Sequence, residues 1–312
     1  MNNKPLFTRR RFLGSAATLA TISALPVSNL FANEKSASEA NHKKSTHKEQ
    51  RYKIAVCDWM ILKRQKLGEF KRASEIGADG VEVDMGGLGS RPTFDNKLLN
   101  PIDRKIFLEE AKKYNLEISS IAMSGFYAQS FAEKETIEQI LKDTINTMVL
   151  MGVKTAFLPL GVKGDLVKYP ELRPAIVERL KLAGKMAEAA EVVIGIETAL
   201  DAKGEVELLA EIDSPAIKSY FNFANALQNN RDLISEIKTL GKDRICQIHC
   251  TDQDGVWLEN DTRLNMPEVK KTLDEMNWSG WLVIERSRDA NNPKDVVGNY
   301  GANTMYLKSI FQ

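Results

Sequence analysis

From Tyr52 onward, short β-rich apolar runs alternate with longer amphipathic stretches. The runs predict strands over Lys53–Asp58, Gly80–Asp84, Glu117–Met123, Lys154–Pro159, Val192–Glu197, Lys218–Phe223, Ile245–Cys250 and Trp281–Glu285. Apolar positions at helical spacing predict helices over Asp103–Tyr114, Lys134–Met151, Glu171–Ala190, Arg231–Leu240, Met266–Met276 and Val297–Phe311. Glu205–Ile212 repeats the pattern more weakly. Eight strands alternating with helices over about 260 residues fit a single (β/α)8 barrel. A doubly wound open sheet is the alternative. It lacks support after the first strand, where Asp58-Trp59-Met60 replaces a Gly-rich phosphate loop.

In such a barrel, function collects at the C-terminal ends of the strands. Alternation along Val192–Glu197 sends Val192, Ile194 and Ile196 toward the helices, and Val193, Gly195 and Glu197 into the barrel. The same parity turns Glu285 inward on the eighth strand, and Gln247 and His249 inward on the seventh. Asn222 ends the sixth beside Phe221 and Phe223. Four consecutive strands thus end in Glu, Asn, His and Glu. Such groups aimed at one mouth are costly unless something cationic satisfies them. Oxygen donors with one imidazole suit a divalent ion such as Mn²⁺, Mg²⁺ or Zn²⁺.

The N-terminus carries a different message. Residues 1–32 hold four basic residues and no acid, with Arg9-Arg10-Arg11-Phe12-Leu13 before a short Ala/Leu/Thr run. This resembles a twin-arginine export signal, cleaved near Ala32, and implies export machinery as a partner and a periplasmic or otherwise exported location. The run is too short and polar for a stable membrane anchor. Residues 33–50 read as a flexible polar linker containing His42 and His47, and 51–312 as the barrel. Without residues 1–32 the chain holds 39 basic and 42 acidic residues, −3 net. That balance argues against a nucleic-acid partner. Cys246 and Cys250, about 13 Å apart along one strand, cannot bridge each other.

The strand-end residues resemble those of the xylose isomerase-like TIM-barrel family of sugar phosphate isomerases and epimerases, over roughly Tyr52–Gln312. The resemblance rests on Glu197, Asn222, His249 and Glu285 at intervals of about one βα unit, and on His249-Cys250-Thr251-Asp252 after the seventh strand. It implies one divalent metal ion held by Glu197, Asn222, His249 and Glu285. It also implies that Glu197 and Glu285 act as acid and base next to a carbonyl, through a metal-stabilised enediolate. Asn222 stands where the family usually has Asp, which predicts weaker metal binding. Asn225 stands where a substrate-binding His is common.

Asp252, Asn225, Trp257, Arg286 and Trp59 are candidate substrate contacts. Asp252 is alternatively an orienter of His249, and Trp257 a stacking platform over the mouth. Asp58, Glu82 and Asp84 are candidate pocket-lining groups, Lys154 and Gln247 inward polar fillers. The expected substrate is a small keto sugar or cyclitol, unphosphorylated because the chain is read as exported; a homo-oligomer is possible. Three other readings compete: a lyase or dehydratase using the same proton abstraction, an exported carbohydrate-binding barrel with a degraded metal site, and a zinc endonuclease on the related barrel.

Overall fold

The computed structural model describes residues 50–312. The stretch read as an export signal and nearly all of the expected linker, with His42 and His47, lie outside the described residues. Eight parallel strands close in sequence order: β1 Tyr52–Cys57, β2 Gly80–Asp84, β3 Glu117–Ala122, β4 Thr155–Pro159, β5 Val193–Glu197, β6 Ile217–Asn222, β7 Ile245–His249 and β8 Gly280–Ile284. β8 pairs back onto β1, with Ile54 opposite Leu282. Among the described residues no helix is long and apolar enough to cross a membrane.

Alternation sorts the side chains into two cores. Ile54, Val56, Ile194, Ile196, Leu282 and Ile284 pack outward under the helices. Ala55, Cys57, Ala122, Phe157, Tyr220 and Val283 fill the barrel. Gly195 lies where a Cβ would come within 2.6 Å of Cys246 Sγ and 2.9 Å of Tyr220 Cβ, so a bare backbone lets Tyr220 reach across the lumen. Register shifts between Ser219 and Tyr220, and between Val81 and Glu82, break the simple pattern. At the first shift Cys246 packs with the inner cluster and Gln247 donates to Tyr220 and Ser120 inside the barrel, while Ile245 joins the outer core. Lys154 is no filler: it is exposed, and its Nζ donates to the carbonyl of Glu191.

Nine helices run among the strands of the described residues: α1 Gly68–Ile76, α2 Pro101–Lys113, α3 Ile137–Met151, α4 Arg173–Ala189, α5 Ala202–Ile212, α6 Phe223–Leu227, α7 Leu233–Leu240, α8 Met266–Glu275 and α9 Val296–Phe311. The sequence pattern misses α1 and the five-residue α6. The buried face of α1 includes Glu69 beside Phe70, Ala73 and Ile76, so an acid interrupts its apolar stripe. The weak α5 has the same cause. It starts cleanly, with Asp201 accepting from Gly204 N, but Glu205 shares its buried face with Leu208 and Ile212.

Burial pushes the Glu205 carboxyl up to about 7, against a hydrogen bond from Thr198 Oγ1 at 2.8 Å. The folded chain therefore holds this proton more tightly than the unfolded chain does. Its contribution to stability is present at low pH and lost as pH rises from about 4.5 through about 7, by about 3 kcal/mol at most. Glu205→Gln should flatten this part of the dependence when urea unfolding is compared near pH 5 and pH 8. A slope unchanged by the substitution would assign the effect to other groups.

Candidate active site

Glu197, Asn222 and His249 end β5, β6 and β7, and Glu285 directly follows β8. The structure brings all four together at the C-terminal mouth of the barrel. One oxygen each from Glu197 and Glu285 and a nitrogen of His249 lie within 4.8 Å of one another. His249 is fully buried, its ring packed edge-on to Phe157 at 4.6 Å and tilted against Tyr220 at 4.7 Å.

The two ring nitrogens face different groups. Nε2 lies 3.0 Å from Glu82 Oε1. Nδ1 lies 3.2 Å from Glu197 Oε2 and 3.9 Å from Glu285 Oε2. Glu82 also accepts from Ser120 Oγ at 2.6 Å and Tyr220 OH at 2.5 Å. Burial raises its pKa, but His249 and these hydroxyls outweigh burial and lower it. A carboxylate at Nε2 fixes a proton there and leaves Nδ1 as a lone pair. That lone pair faces two further carboxylates. Either a second ring proton or a cation must separate them. Burial would lower the imidazole pKa, yet Glu82, Glu285 and Glu197 together hold it well above its ordinary value.

Asn222 gives Nδ2 to Glu197 Oε2 at 2.9 Å and to Glu285 Oε2 at 3.3 Å. Its Oδ1 accepts from Ala224 N at 2.9 Å, capping α6. In this arrangement Asn222 turns its Nδ2 toward the two glutamates and its Oδ1 toward the helix. Tyr127, in the turn after β3, donates to Glu285 Oε1 at 3.0 Å and lies 3.4 Å from Glu197 Oε1. Burial first, then the charge of Glu197, raises the Glu285 pKa against the pull of His249. Strand-end reading misses Tyr127 because it stands several residues beyond the strand.

The remaining candidates divide. Trp59 and Arg286 line the cavity over Glu285, and Trp59 stacks on Phe157 at 6.4 Å. Asp252 lines the same cavity but does not orient His249; Arg263 holds it at 2.7 Å. Asn225 lines a neighbouring cavity beside Glu197. Trp257 reaches neither: its indole donates to Asn299 Oδ1 of α9 at 2.7 Å. Asp58 and Asp84 turn aside into the β1–α1 loop, where Asp58 Oδ2 accepts from Gln65 N and Asp84 N.

A sequence profile described as "Xylose isomerase-like TIM barrel" matches residues 70–304. The chain belongs to the xylose isomerase-like TIM-barrel family. No curated protein sequence matches it. Solved structures share the fold. D-psicose 3-epimerase from Clostridium cellulolyticum H10, determined with D-tagatose, superposes with a TM-score of 0.66 at 13% identity, covering 83% of this chain and 99% of its own. A 3-keto-D-glucoside 4-epimerase from E. coli gives 0.64 at 15%, covering 83% and 99%. A sugar phosphate isomerase/epimerase from Parabacteroides distasonis gives 0.64 at 14%, covering 86% and 98%. Within this xylose isomerase-like barrel, three of the four expected ligands present donors to one point, and the fourth is turned to its helix.

Proposed function

We propose that this protein is an exported, metal-dependent isomerase or epimerase that moves a proton on the carbon next to a carbonyl of an unphosphorylated keto sugar or cyclitol. One observation carries the reading. Glu197, His249 and Glu285 converge at the base of an open cleft, with the second ring nitrogen of His249 already committed to Glu82. Solved neighbours named as epimerases of sugars and keto-glucosides support the reaction class. The Arg9-Arg10-Arg11 leader supports export.

The donor set fits a divalent ion. Two carboxylates facing Nδ1 of His249 repel one another unless positive charge lies between them, which a second ring proton supplies without an ion and a divalent ion would supply in its place. Glu197, Glu285 and Nδ1 of His249 would hold it, and it would supply the positive charge that stabilises an oxygen as negative charge develops there. The chain's own groups do the rest. Glu197 and Glu285 reach in from strand ends three staves apart, so a sugar carbon between them meets a carboxylate on either side. One accepts the proton and the other returns one to the opposite face, which inverts the carbon. Tyr127 holds Glu285 in place and gives its carboxylate a hydrogen bond. Loss of a neighbouring hydroxyl after the same abstraction would make the enzyme a dehydratase, and product analysis separates the two.

Incubation with keto sugars in deuterated water should wash deuterium into the carbon beside the carbonyl. No exchange with any of them, in protein carrying one bound divalent ion, would sink the reading. The second reading, a carbohydrate-binding barrel without catalysis, draws on Asn222, whose amide already bridges both glutamates without a cation. Purified protein that holds no ion would favour it.

Asn222→Asp gives a sharper check. Aspartate can cap Ala224 N with one oxygen and offer the other to the ion. Metal affinity should rise about tenfold or more, since charge is added and no cap is lost. Calorimetric titration with Mn²⁺ that finds equal affinity in both proteins would remove position 222 from contact with the ion.

A further inference from the structure

The barrel mouth holds two cavities that share a wall. The first, about 600 Å³, lies over β1, β7 and β8 and is lined by Trp59, Arg64, Thr251, Asp252, Glu285 and Arg286. The second, about 510 Å³, lies over β4, β5 and α6 and is lined by Leu160, Asp165, Lys168, Thr198, Asn225 and Asn229. Glu197, Tyr127, Val162 and Gln228 border both. Glu285 borders only the first of the two. Each alone has the size of a small-molecule site, about 300–1,000 Å³. A single sugar ring seated between Glu197 and Glu285 would take up part of the first and leave the second open.

The second cavity has the chemistry of a neutral polyol site. Its cations are already matched. Lys168 Nζ pairs with Asp165 Oδ2 at 3.0 Å. Arg231 donates to the carbonyls of Ala199 and Asn225 and sits 3.4 Å from Glu236. No unmatched positive charge remains there to select a phosphate. Leu160, Val162, Val167 and Ala199 supply apolar surface for the C–H face of a ring. Asn225 and Asn229 each donate to a backbone carbonyl, of Thr198 and Asn225, which leaves their side-chain oxygens as acceptors for hydroxyls.

We propose that the site takes a two-ring sugar, a disaccharide or other neutral glycoside, with the keto ring between Glu197 and Glu285 and the second ring in the cavity over β4, β5 and α6. The chemistry of the first ring rests on the isomerase reading above; binding of the second does not.

Calorimetry on the full chain supplied with Mn²⁺ tests this, with the keto disaccharides maltulose, lactulose and isomaltulose set against glucose, galactose and fructose. At least one disaccharide should bind about tenfold tighter than either of its rings alone, or ~1.4 kcal/mol. Ala199→Trp, which fills the second cavity, should erase that advantage, and Asn229→Ala, at an exposed position, should reduce it. Equal affinity for one-ring and two-ring sugars would overturn the proposal. So would an advantage that survives both substitutions, or tighter binding of glucose 6-phosphate than of every disaccharide. Turnover plays no part in this measurement. A retained disaccharide preference with no deuterium exchange on any keto sugar would remove the isomerase reading and leave the second subsite standing.

Discussion

Glu285→Gln should cut deuterium wash-in by about 10²- to 10⁴-fold, the range for losing a positioned acid or base. That corresponds to about 3–5 kcal/mol of barrier. The substitution keeps the shape of the site. A glutamine oxygen still accepts from Tyr127, as Glu285 Oε1 does at 3.0 Å. The residue stands just past β8, so no ladder hydrogen bond is involved. Thermal stability should therefore change little while exchange collapses. Because Glu285 also faces the proposed ion, rates belong at saturating Mn²⁺, where weaker ion binding no longer limits them. Glu197→Gln should behave alike. Exchange by the Glu285 variant within about tenfold of the parent under those conditions would leave Glu285 a ligand and deny it a proton-transfer role.

Glu82→Ala should weaken metal binding by about 10- to 100-fold, although Glu82 sits one layer below the mouth. With the proposed ion bound, its carboxylate would hold the proton of His249 on Nε2, 3.0 Å away, and so aim the Nδ1 lone pair at that ion. Losing it frees the ring to take the other tautomer and leaves the hydroxyls of Ser120 and Tyr220 without their shared acceptor. Glu82→Gln keeps an oxygen opposite Nε2 and should recover part of the affinity. The decisive readout is spectroscopic. In protein loaded with diamagnetic Mg²⁺, nitrogen-15 shifts of His249 should report Nε2–H in the parent and a mixture of tautomers in Glu82→Ala. A merely structural residue would lower stability and leave the tautomer alone. Unchanged shifts and unchanged affinity would make Glu82 simple packing inside the barrel.

The site was readable where alternation ran unbroken. In β5 and β8 each outward Ile or Leu implies an inward partner, and the count arrives at Glu197 and Glu285. His249 also falls on the right face, although the shift beside Tyr220 puts Cys246 and Gln247 both inside. What stayed hidden was hidden for physical reasons. Glu69 and Glu205 are acids on buried helix faces, and each weakens the stripe by which a helix is recognised. Tyr127 reaches the site from a turn whose path no periodicity encodes. Trp257 looked like a platform because of its position after β7, but Asn299 on the last helix claims its indole. The two-cavity mouth arises from loops following different strands, and sequence spacing alone does not bring those together.

Asn222 is both a wall of the cleft and the stopper of a very short helix. Any event that swings its amide oxygen toward an ion withdraws it from Ala224 N. A five-residue helix has few bonds with which to absorb that loss. The same helix carries Asn225, and Gln228 follows at its end, on the partition between the two cavities. An ion that drew the Asn222 oxygen away from Ala224 N would thereby loosen the short helix that stands between the two chambers.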